Sequence, residues 1–326
     1  MHAAYIEQLG PAELIRFGEL PAPQPGPSDV LVEVDVVSVN HVDTFVRSGA
    51  WSTPLDFPFV IGRDLVGTVR SAGPAVAHRF APGDRVWCNS LGHDGRQGAA
   101  AELAVVPAER LYPLPEGVDP VDAVALAHPA VTAYLALFDQ GQVAAGDTVL
   151  VLGAAGNVGS ALVTMAAHAG ARVIATSSPR DVDYVRELGA AEVIDYNDPD
   201  VPGRVRELAP GGVDIHVDTS ARNDLETAVD LLASRGRIVL LSGMRTRPVL
   251  PVGPLYLKDC SVRGFAISHA TAGRLAAAAA HVNRLTAAGL LRPRGTEVLP
   301  LSEAARAHRL LDEGKVTGKL VLRARS

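Results

Sequence analysis

The stretch Thr148–Ala169, TVLVLGAAGNVGSALVTMAAHA, constrains the fold more than any other part of the chain. Its first five residues, Thr148–Leu152, form a short apolar, β-branched run, the pattern of a strand buried on both faces. Glycines follow at 153, 156 and 159, and Val158, Leu162, Met165 and Ala169 then recur at helical spacing. Strand, glycine turn and helix make the phosphate-binding corner of a dinucleotide fold. The glycines let the backbone turn tightly and approach a pyrophosphate, whose charge meets the N–H groups at the helix start. Gly153, Ala155, Gly156, Asn157, Val158 and Gly159 are therefore the first candidate cofactor residues. The spacing G-x-x-G-x-x-G is offset from G-x-G-x-x-G, so the weight rests on its place between strand and helix. Two plainer readings compete. One is a packing corner without a nucleotide. The other is a membrane span, since Thr148–Ala167 has no charge over 20 positions. The glycines and Asn157 at its centre, and the lack of a flanking Lys/Arg cluster, argue against the span.

A length of 326 residues suggests two domains, and 48% hydrophobic with 20% charged residues describes a globular chain with a substantial core. The net charge of −6 and the absence of basic runs disfavour a nucleic-acid partner. Cys88 and Cys260 lie far apart and form no C-x-x-C pattern, which suits a reducing compartment and excludes a cysteine-built zinc site. The start, MHAAYIEQLG, has neither the basic residues nor the apolar core of a signal peptide, so a cytoplasmic protein without a membrane partner is expected.

Residues 1–118 read as short strands between Gly/Pro breaks: Ala3–Glu7, Leu14–Glu19, Val30–Val37, Val60–Ala72, Arg85–Cys88, Ala99–Val106 and Glu109–Leu111. Such spacing suggests a small barrel or sandwich. One or two helical turns, Asn40–Arg47, interrupt it. From Asp119 the pattern changes. Helices at Pro120–Ala127 and Thr132–Asp139 precede strands at Thr148–Leu152, Arg172–Thr176, Glu192–Ile194, Ile215–Val217, Arg237–Leu241 and Ser261–Phe265, with helices between them. Alternation of this kind predicts a parallel, doubly wound sheet about six strands wide. The expected domains are 1–118 with 266–326, the tail packing back on the first part, and 119–265 for the dinucleotide.

Further motifs follow in order: Val39-Asn40-His41-Val42-Asp43-Thr44 with Arg47-Ser48-Gly49, Pro58-Phe59-Val60-Ile61-Gly62-Arg63-Asp64, Pro82-Gly83-Asp84-Arg85-Val86, and Thr132-Ala133-Tyr134. After the glycine corner come Leu188-Gly189-Ala190, Val193-Ile194-Asp195-Tyr196 and Thr317-Gly318-Lys319-Leu320-Val321-Leu322. With these motifs the chain resembles, over essentially its whole length, a medium-chain dehydrogenase/reductase of the zinc-free quinone oxidoreductase, zeta-crystallin-like group. The resemblance implies an α/β protein with a GroES-like β-barrel catalytic domain plus a doubly wound parallel-sheet Rossmann domain, assembled as a homodimer. Zinc-dependent members of that superfamily carry a Cys, a His-Glu pair and a later Cys where this chain has Asn40, Arg63-Asp64 and His128. Catalytic zinc needs three Cys, His or carboxylate ligands. Arg63 cannot serve, and no metal is expected. Without a Lewis acid, a conjugated acceptor such as a quinone or an α,β-unsaturated carbonyl is the expected substrate.

The second strand of the dinucleotide unit ends Ala175-Thr176-Ser177-Ser178-Pro179-Arg180, with no acid before Asp181. Small hydroxyls at Thr176 and Ser177 and the charge of Arg180 suit the 2′-phosphate of NADPH, although Arg180 also reads as a solvated loop residue. The resemblance further implies that Asn40, His41, Thr132, Tyr196, Gly243, Phe265 and Lys319 attend the cofactor. Asn40, His128 and Tyr134 are the candidate catalytic residues, and Asp43 reads as a cap of the Asn40–Arg47 turn. The expected function is zinc-independent hydride transfer from NADPH to a quinone or enone. An enoyl-thioester reductase and a non-catalytic NADPH-binding sensor stand as alternatives.

Overall fold

In the computed structural model, which describes residues 1–325, strands form where alternation or continuous apolar runs demand them. In chain order they are β1 (His2–Ile6), β2 (Arg16–Glu19), β3 (Asp29–Ser38), β4 (Phe59–Val60), β5 (Asp64–Ala72), β6 (Arg85–Cys88), β7 (Leu103–Pro107) and β8 (Tyr112–Pro113), then β9 (Thr148–Leu152), β10 (Arg172–Ser177), β11 (Glu192–Asp195), β12 (Val213–Asp218), β13 (Leu232–Leu240), β14 (Ser261–Gly264), β15 (Thr296–Pro300) and β16 (Lys319–Arg323). The helices are α1 (His41–Ser48), α2 (Pro120–Ala127), α3 (Pro129–Tyr134), α4 (Asn157–His168), α5 (Val182–Glu187), α6 (Val201–Leu208), α7 (Leu225–Leu231), α8 (Val252–Leu257), α9 (Ala272–Ala287) and α10 (Ala304–Asp312). The chain divides into two units: Met1–His128 together with the residues from Thr271 onward, and Pro129–Ala270.

The first unit is built on a 7-stranded sheet of order β15-β16-β3-β5-β6-β8, with β7 also paired to β3, and a 3-stranded sheet β2-β1-β4. β3 alternates between buried and half-buried residues until its last turn, where Val36, Val37 and Ser38 are all buried. Its pairing with β5 sets Ser38 opposite Asp64, and β16 on its other side sets Val321 opposite Ser38. Three strands thus converge where β3 runs into α1. Val30, Val32, Val34, Leu65, Val69, Leu320 and Leu322 form the heart of the core. Helix α2 packs on β3, β5 and β6 and so belongs with this unit, although the sequence places it at the head of the next. The expected strand Glu109–Leu111 is instead a 3₁₀ turn, Ala108–Arg110. It redirects the chain after Pro107 so that Tyr112–Pro113 can pair with β6.

The second unit is a parallel sheet of order β11-β10-β9-β12-β13-β14. Strand β9 lies inside it, and the order reverses between β9 and β12. In open α/β sheets a ligand binds at the carboxyl ends of the strands flanking such a reversal. The helix expected at Thr132–Asp139 is α3 running into a π-helical turn, Leu135–Gln140. Helix α8, with Pro251 as its N-cap and Pro254 inside it, has no counterpart in the sequence reading. Among the described residues no single helix is long and apolar enough to cross a membrane.

Candidate active site

The glycine corner sits at the reversal, between the end of β9 and the start of α4. Gly153 has a φ of 78°, and a Cβ there would lie 2.6 Å from Thr219 Oγ1. Thr219, just past β12, donates to the Leu152 carbonyl at 2.7 Å and so ties the turn to the neighbouring strand. A Cβ on Gly159 would stand 2.2 Å from the Gly153 carbonyl oxygen, so only glycine lets α4 approach β9 this closely. Gly156 serves differently. It is the N-cap of α4, a Cβ there would meet little, no side chain caps the helix, and no acid lies in its first turn. A backbone turn that leads into a glycine-capped helix start fits a pyrophosphate.

At the end of β10 the expected phosphate ligands separate into two groups. Thr176 is buried, and its hydroxyl accepts from the Gly153 N–H at 3.2 Å, supporting the turn. Ser177 is buried, and its hydroxyl donates to the Ser178 carbonyl. Both hydroxyls therefore make at least one bond within the protein. Ser178 donates to buried Asp181 at 2.7 Å. Arg180, by contrast, has a side chain 79% exposed and only a loose pairing with Asp181, at 3.7 Å. Tyr196 is exposed as well, and its N–H donates to the Ser177 carbonyl, which fixes it beside the same strand end. Gly243, with a φ of 82°, lies against Asn223, whose amide donates to the Ser242 carbonyl and to Thr246 Oγ1. Phe265 follows β14, half-buried, its N–H donating to the Leu240 carbonyl. Thr132 is buried on α3, and the half-buried Tyr134 stacks at a tilt on Phe138, centroids 4.9 Å apart.

The other candidates gather in the first unit, in a buried polar cluster at the β3–α1 junction. Asp64 is fully buried and accepts from Ser38 Oγ at 2.6 Å and Asn40 Nδ2 at 2.8 Å. Lys319, 5% exposed, donates through Nζ to Asn40 Oδ1. The backbone brings them together, because the Val39 N–H donates to the Leu320 carbonyl at 3.0 Å. Asp43 accepts from the Asn40 backbone N–H at 2.8 Å and so closes the start of α1, the capping role expected of it. Burial, and then the neighbouring Asp64 carboxylate, push the Asp43 pKa up to about 7. Burial likewise raises Asp64, against the pull of Lys319 and its hydrogen bonds to Ser38 and Asn40. His128 stands with Nδ1 3.8 Å from Asp64 Oδ1. Burial, with the charges of Arg63 and Lys319, holds its imidazole neutral well below the usual range. His41, on the first turn of α1, is also lowered, by partial desolvation and then by Lys319.

Ser38 and Thr219 are contributors that the sequence reading missed. Ser38 has no local signal, because its role follows from the cross-strand register. Thr219 could have been found, because a hydroxyl directly after the strand across the reversal is placed to brace the turn.

Two family models match, an alcohol dehydrogenase GroES-like domain over residues 26–116 and a zinc-binding dehydrogenase over residues 157–284. The quinone oxidoreductase of Mus musculus is 31% identical over 99% of this chain and 97% of its own length. The chain belongs to the quinone oxidoreductase, zeta-crystallin-like group of the medium-chain dehydrogenase/reductases. Among solved structures, an NAD-dependent alcohol dehydrogenase is 34% identical with a TM-score of 0.87, covering 99% of both chains. A mycobacterial protein complexed with NADPH is 31% identical with a TM-score of 0.85, covering 99% of this chain and 100% of that one. Membership brings a nicotinamide dinucleotide of the NAD(P) type, which the glycine cradle suits.

Zinc, implied by the second family model, is a different matter. At the corresponding positions, Asn40 Oδ1 accepts from the Lys319 ammonium, Arg63 is a buried cation, and His128 and Asp64 are the only ordinary ligands. Among the described residues no group of three or more His, Cys, Asp or Glu is placed to hold a metal. These residues do not fit a catalytic zinc.

Proposed function

We propose that this oxidoreductase transfers a hydride from NADPH to a quinone or an α,β-unsaturated carbonyl, without zinc. The observation that carries the reading is the corner Gly153–Gly159, a tight glycine turn leading into a glycine-capped helix start at the sheet's reversal point. When bound, the reduced nicotinamide supplies the hydride, and a conjugated acceptor takes it with less polarisation of its oxygen than a plain ketone requires.

The chain's own residues hold, orient and protonate. Gly153, Ala155, Gly156, Asn157, Val158 and Gly159 are proposed to hold the pyrophosphate, and His41, Thr132, Gly243, Phe265 and Lys319 to attend the nicotinamide end. Arg180 and Tyr196 are proposed at the adenosine end, with Thr176 and Ser177 shaping the turn between. The exposure of Arg180 supports NADPH over NADH, because a guanidinium free to move can pair with a 2′-phosphate. His128, held neutral, is proposed to donate a hydrogen bond from its ring N–H to the acceptor oxygen, and Tyr134 or solvent to supply the proton that follows the hydride. Asn40 has both ends of its amide engaged, so its proposed part is to position and not to donate. A cytosolic homodimer belongs to the same reading. Both cysteines are free thiols, and the edge strand β14 follows α8, where Tyr256 and Leu257 are 65% and 75% exposed.

The test is oxidation of NADPH and of NADH against quinones, enones, enoyl thioesters and simple ketones, with and without chelator, for wild type and Arg180→Ala. Chelator-insensitive turnover of quinones or enones with NADPH is expected. The variant is expected to raise the KM for NADPH about 10-fold, the worth of one hydrogen bond to a charged group, and to leave that for NADH unchanged. Chelator-sensitive turnover of simple carbonyls overturns the reading. Preference for the thioester moves it to the enoyl-thioester class, and tight NADPH binding without turnover moves it to a sensor.

A further inference from the structure

Two loops at the carboxyl ends of β12 and β13 carry three exposed arginines that the hydride-transfer reading leaves unused. Arg222 lies on the first, residues 219–224, and Arg245 and Arg247 on the second, residues 242–251. Among the described residues none of the three has an ion-pair partner, and Arg247 donates only to the carbonyl of its neighbour Thr246, at 2.9 Å. Other arginines of the same unit are paired: Arg186 with Asp183, Arg204 with Glu207, Arg206 with Asp230 and Arg237 with Asp147. The loops themselves withhold a partner. The second contains no acid. At the first, buried Asp218 accepts from the Ser220 N–H at 2.7 Å, the Ser220 hydroxyl at 2.6 Å and the Asn223 N–H at 2.7 Å. Asp224 accepts from the N–H and the hydroxyl of Thr227 and so closes the start of α7.

The two loops are also fastened to each other. Asn223, 4% exposed, donates to the Ser242 carbonyl at 3.0 Å and to Thr246 Oγ1 at 3.1 Å. Arg222 is thus the neighbour of the bridging asparagine, and Arg245 and Arg247 flank the threonine that it reaches. Ala221 and Asn223 both hold left-handed backbone, with φ of 64° and 52°. Strain of this kind persists only where the surroundings over-determine it, and it collects at ligand sites. Unpaired guanidinium groups on such a frame suit an anion with planar or tetrahedral oxygens. The dinucleotide's own phosphates are assigned elsewhere, to the Gly153–Gly159 corner and to Arg180 after β10, on the other side of β9 from these loops. Gly243, on the second loop, belongs instead to the proposed nicotinamide end.

We propose that Arg222, Arg245 and Arg247 recognise an anionic group on the acceptor, a carboxylate or a phosphate set apart from the conjugated carbonyl. The substrate class is then a charged enone, quinone or enoyl thioester in preference to a neutral one. This inference rests on the hydride-transfer reading, which supplies the acceptor.

The experiment measures KM and kcat for two pairs of acceptors that differ in charge. One is 4-oxopent-2-enoate and its methyl ester, and the other is the crotonyl thioester of coenzyme A and that of N-acetylcysteamine. Wild type is compared with the triple variants Arg222→Gln, Arg245→Gln, Arg247→Gln and Arg222→Lys, Arg245→Lys, Arg247→Lys. In wild type the KM of a charged member is expected to be about 10-fold below that of its neutral counterpart, by a gap that narrows with salt. The glutamine variant is expected to abolish the gap and to leave kcat, the neutral KM and the NADPH Kd unchanged, while the lysine variant retains most of it. A gap confined to the first pair identifies a small acid, and one confined to the second identifies the phosphates of a carrier. Equal KM values within both pairs, or an equal loss for charged and neutral members, overturn the inference and leave hydride transfer standing. A raised NADPH Kd in the glutamine variant also overturns it, by giving the arginines to the cofactor. Absence of turnover with every acceptor defeats the hydride-transfer reading. Calorimetric titration of the NADP-loaded protein with 4-oxopentanoate and butyryl-coenzyme A then decides: binding that the glutamine variant loses supports the anion site, and no binding by wild type overturns it.

Discussion

The glycine corner of the second unit and the polar cluster of the first are built on opposite principles. The corner is contiguous in sequence, carries no charged side chain from Thr148 to Ala167, and works through backbone N–H groups. The cluster draws on residues 38, 40, 43, 63, 64, 128 and 319 and works through side-chain charge in a site shut off from water. A backbone site is vulnerable to added atoms, whereas a charged buried site is vulnerable to removed ones. That asymmetry can be tested by substitutions chosen on each side.

The largest effect is expected from Asp64→Ala, which deprives Ser38 Oγ and Asn40 Nδ2 of their buried acceptor. Leaving a buried donor unsatisfied costs about 1–3 kcal/mol for each group. Urea unfolding should show that loss, and a cost near zero would mean that these bonds do not hold the cluster together. Next is Gly159→Val, whose added carbons collide with the Gly153 carbonyl. Overpacking of about 1–3 kcal/mol is expected, with NADPH affinity reduced at least about 10-fold in fluorescence titration. Unchanged affinity would remove the corner from the cofactor site.

The smallest effect is one of pH. Burial holds the Asp43 pKa at about 7 in the folded protein, against 3.8 for a free aspartate, so the native state holds the extra proton between those limits. Its contribution is complete below the unfolded pKa and disappears as pH rises through about 7. Between pH 6 and 8 the loss is about 1 kcal/mol. Asp64, raised in the same direction, adds to the trend, and Lys319, lowered, opposes it at higher pH. His216 and His308, brought down to about 4 and about 3 by burial, act only at the acid end, where stability falls as pH drops below 6.5. Comparison of wild type with Asp43→Asn isolates the contribution of this carboxyl. The variant keeps an acceptor for the Asn40 N–H and is expected to flatten the slope between pH 6 and 8.

The same contrast governs how much could be read from the sequence. The corner, the six-strand parallel sheet and the α4 start were legible because local chemistry specifies them: an apolar strand, glycines where backbone must touch backbone, and a helical period. Asp43 was legible as a cap for the same reason. The cluster was visible only as a set of separate residues, since what joins Ser38 to Asp64 is strand register and what joins Lys319 to Asn40 is the pairing of β16 with β3. Thr176 and Ser177 show the reverse limit: the sequence offers their hydroxyls to a phosphate, and nothing local announces that Thr176 Oγ1 accepts from the Gly153 N–H and Ser177 Oγ donates to the Ser178 carbonyl. Helix α8 was missed because VGPLYL, with a proline inside and another before it, has the local look of a loop.

Strand β16 lies between β3 and β15 in the first unit's larger sheet, although it comes from the last described stretch of the chain. During synthesis the second unit, a single contiguous segment, has its whole sheet available while β16 is still inside the ribosome. The first unit must wait, its β3 flank bare and its two buried aspartates without Lys319, until that final strand emerges. Completion of its sheet and neutralisation of its interior are therefore one event in time, and a chain released before residue 319 would lack both.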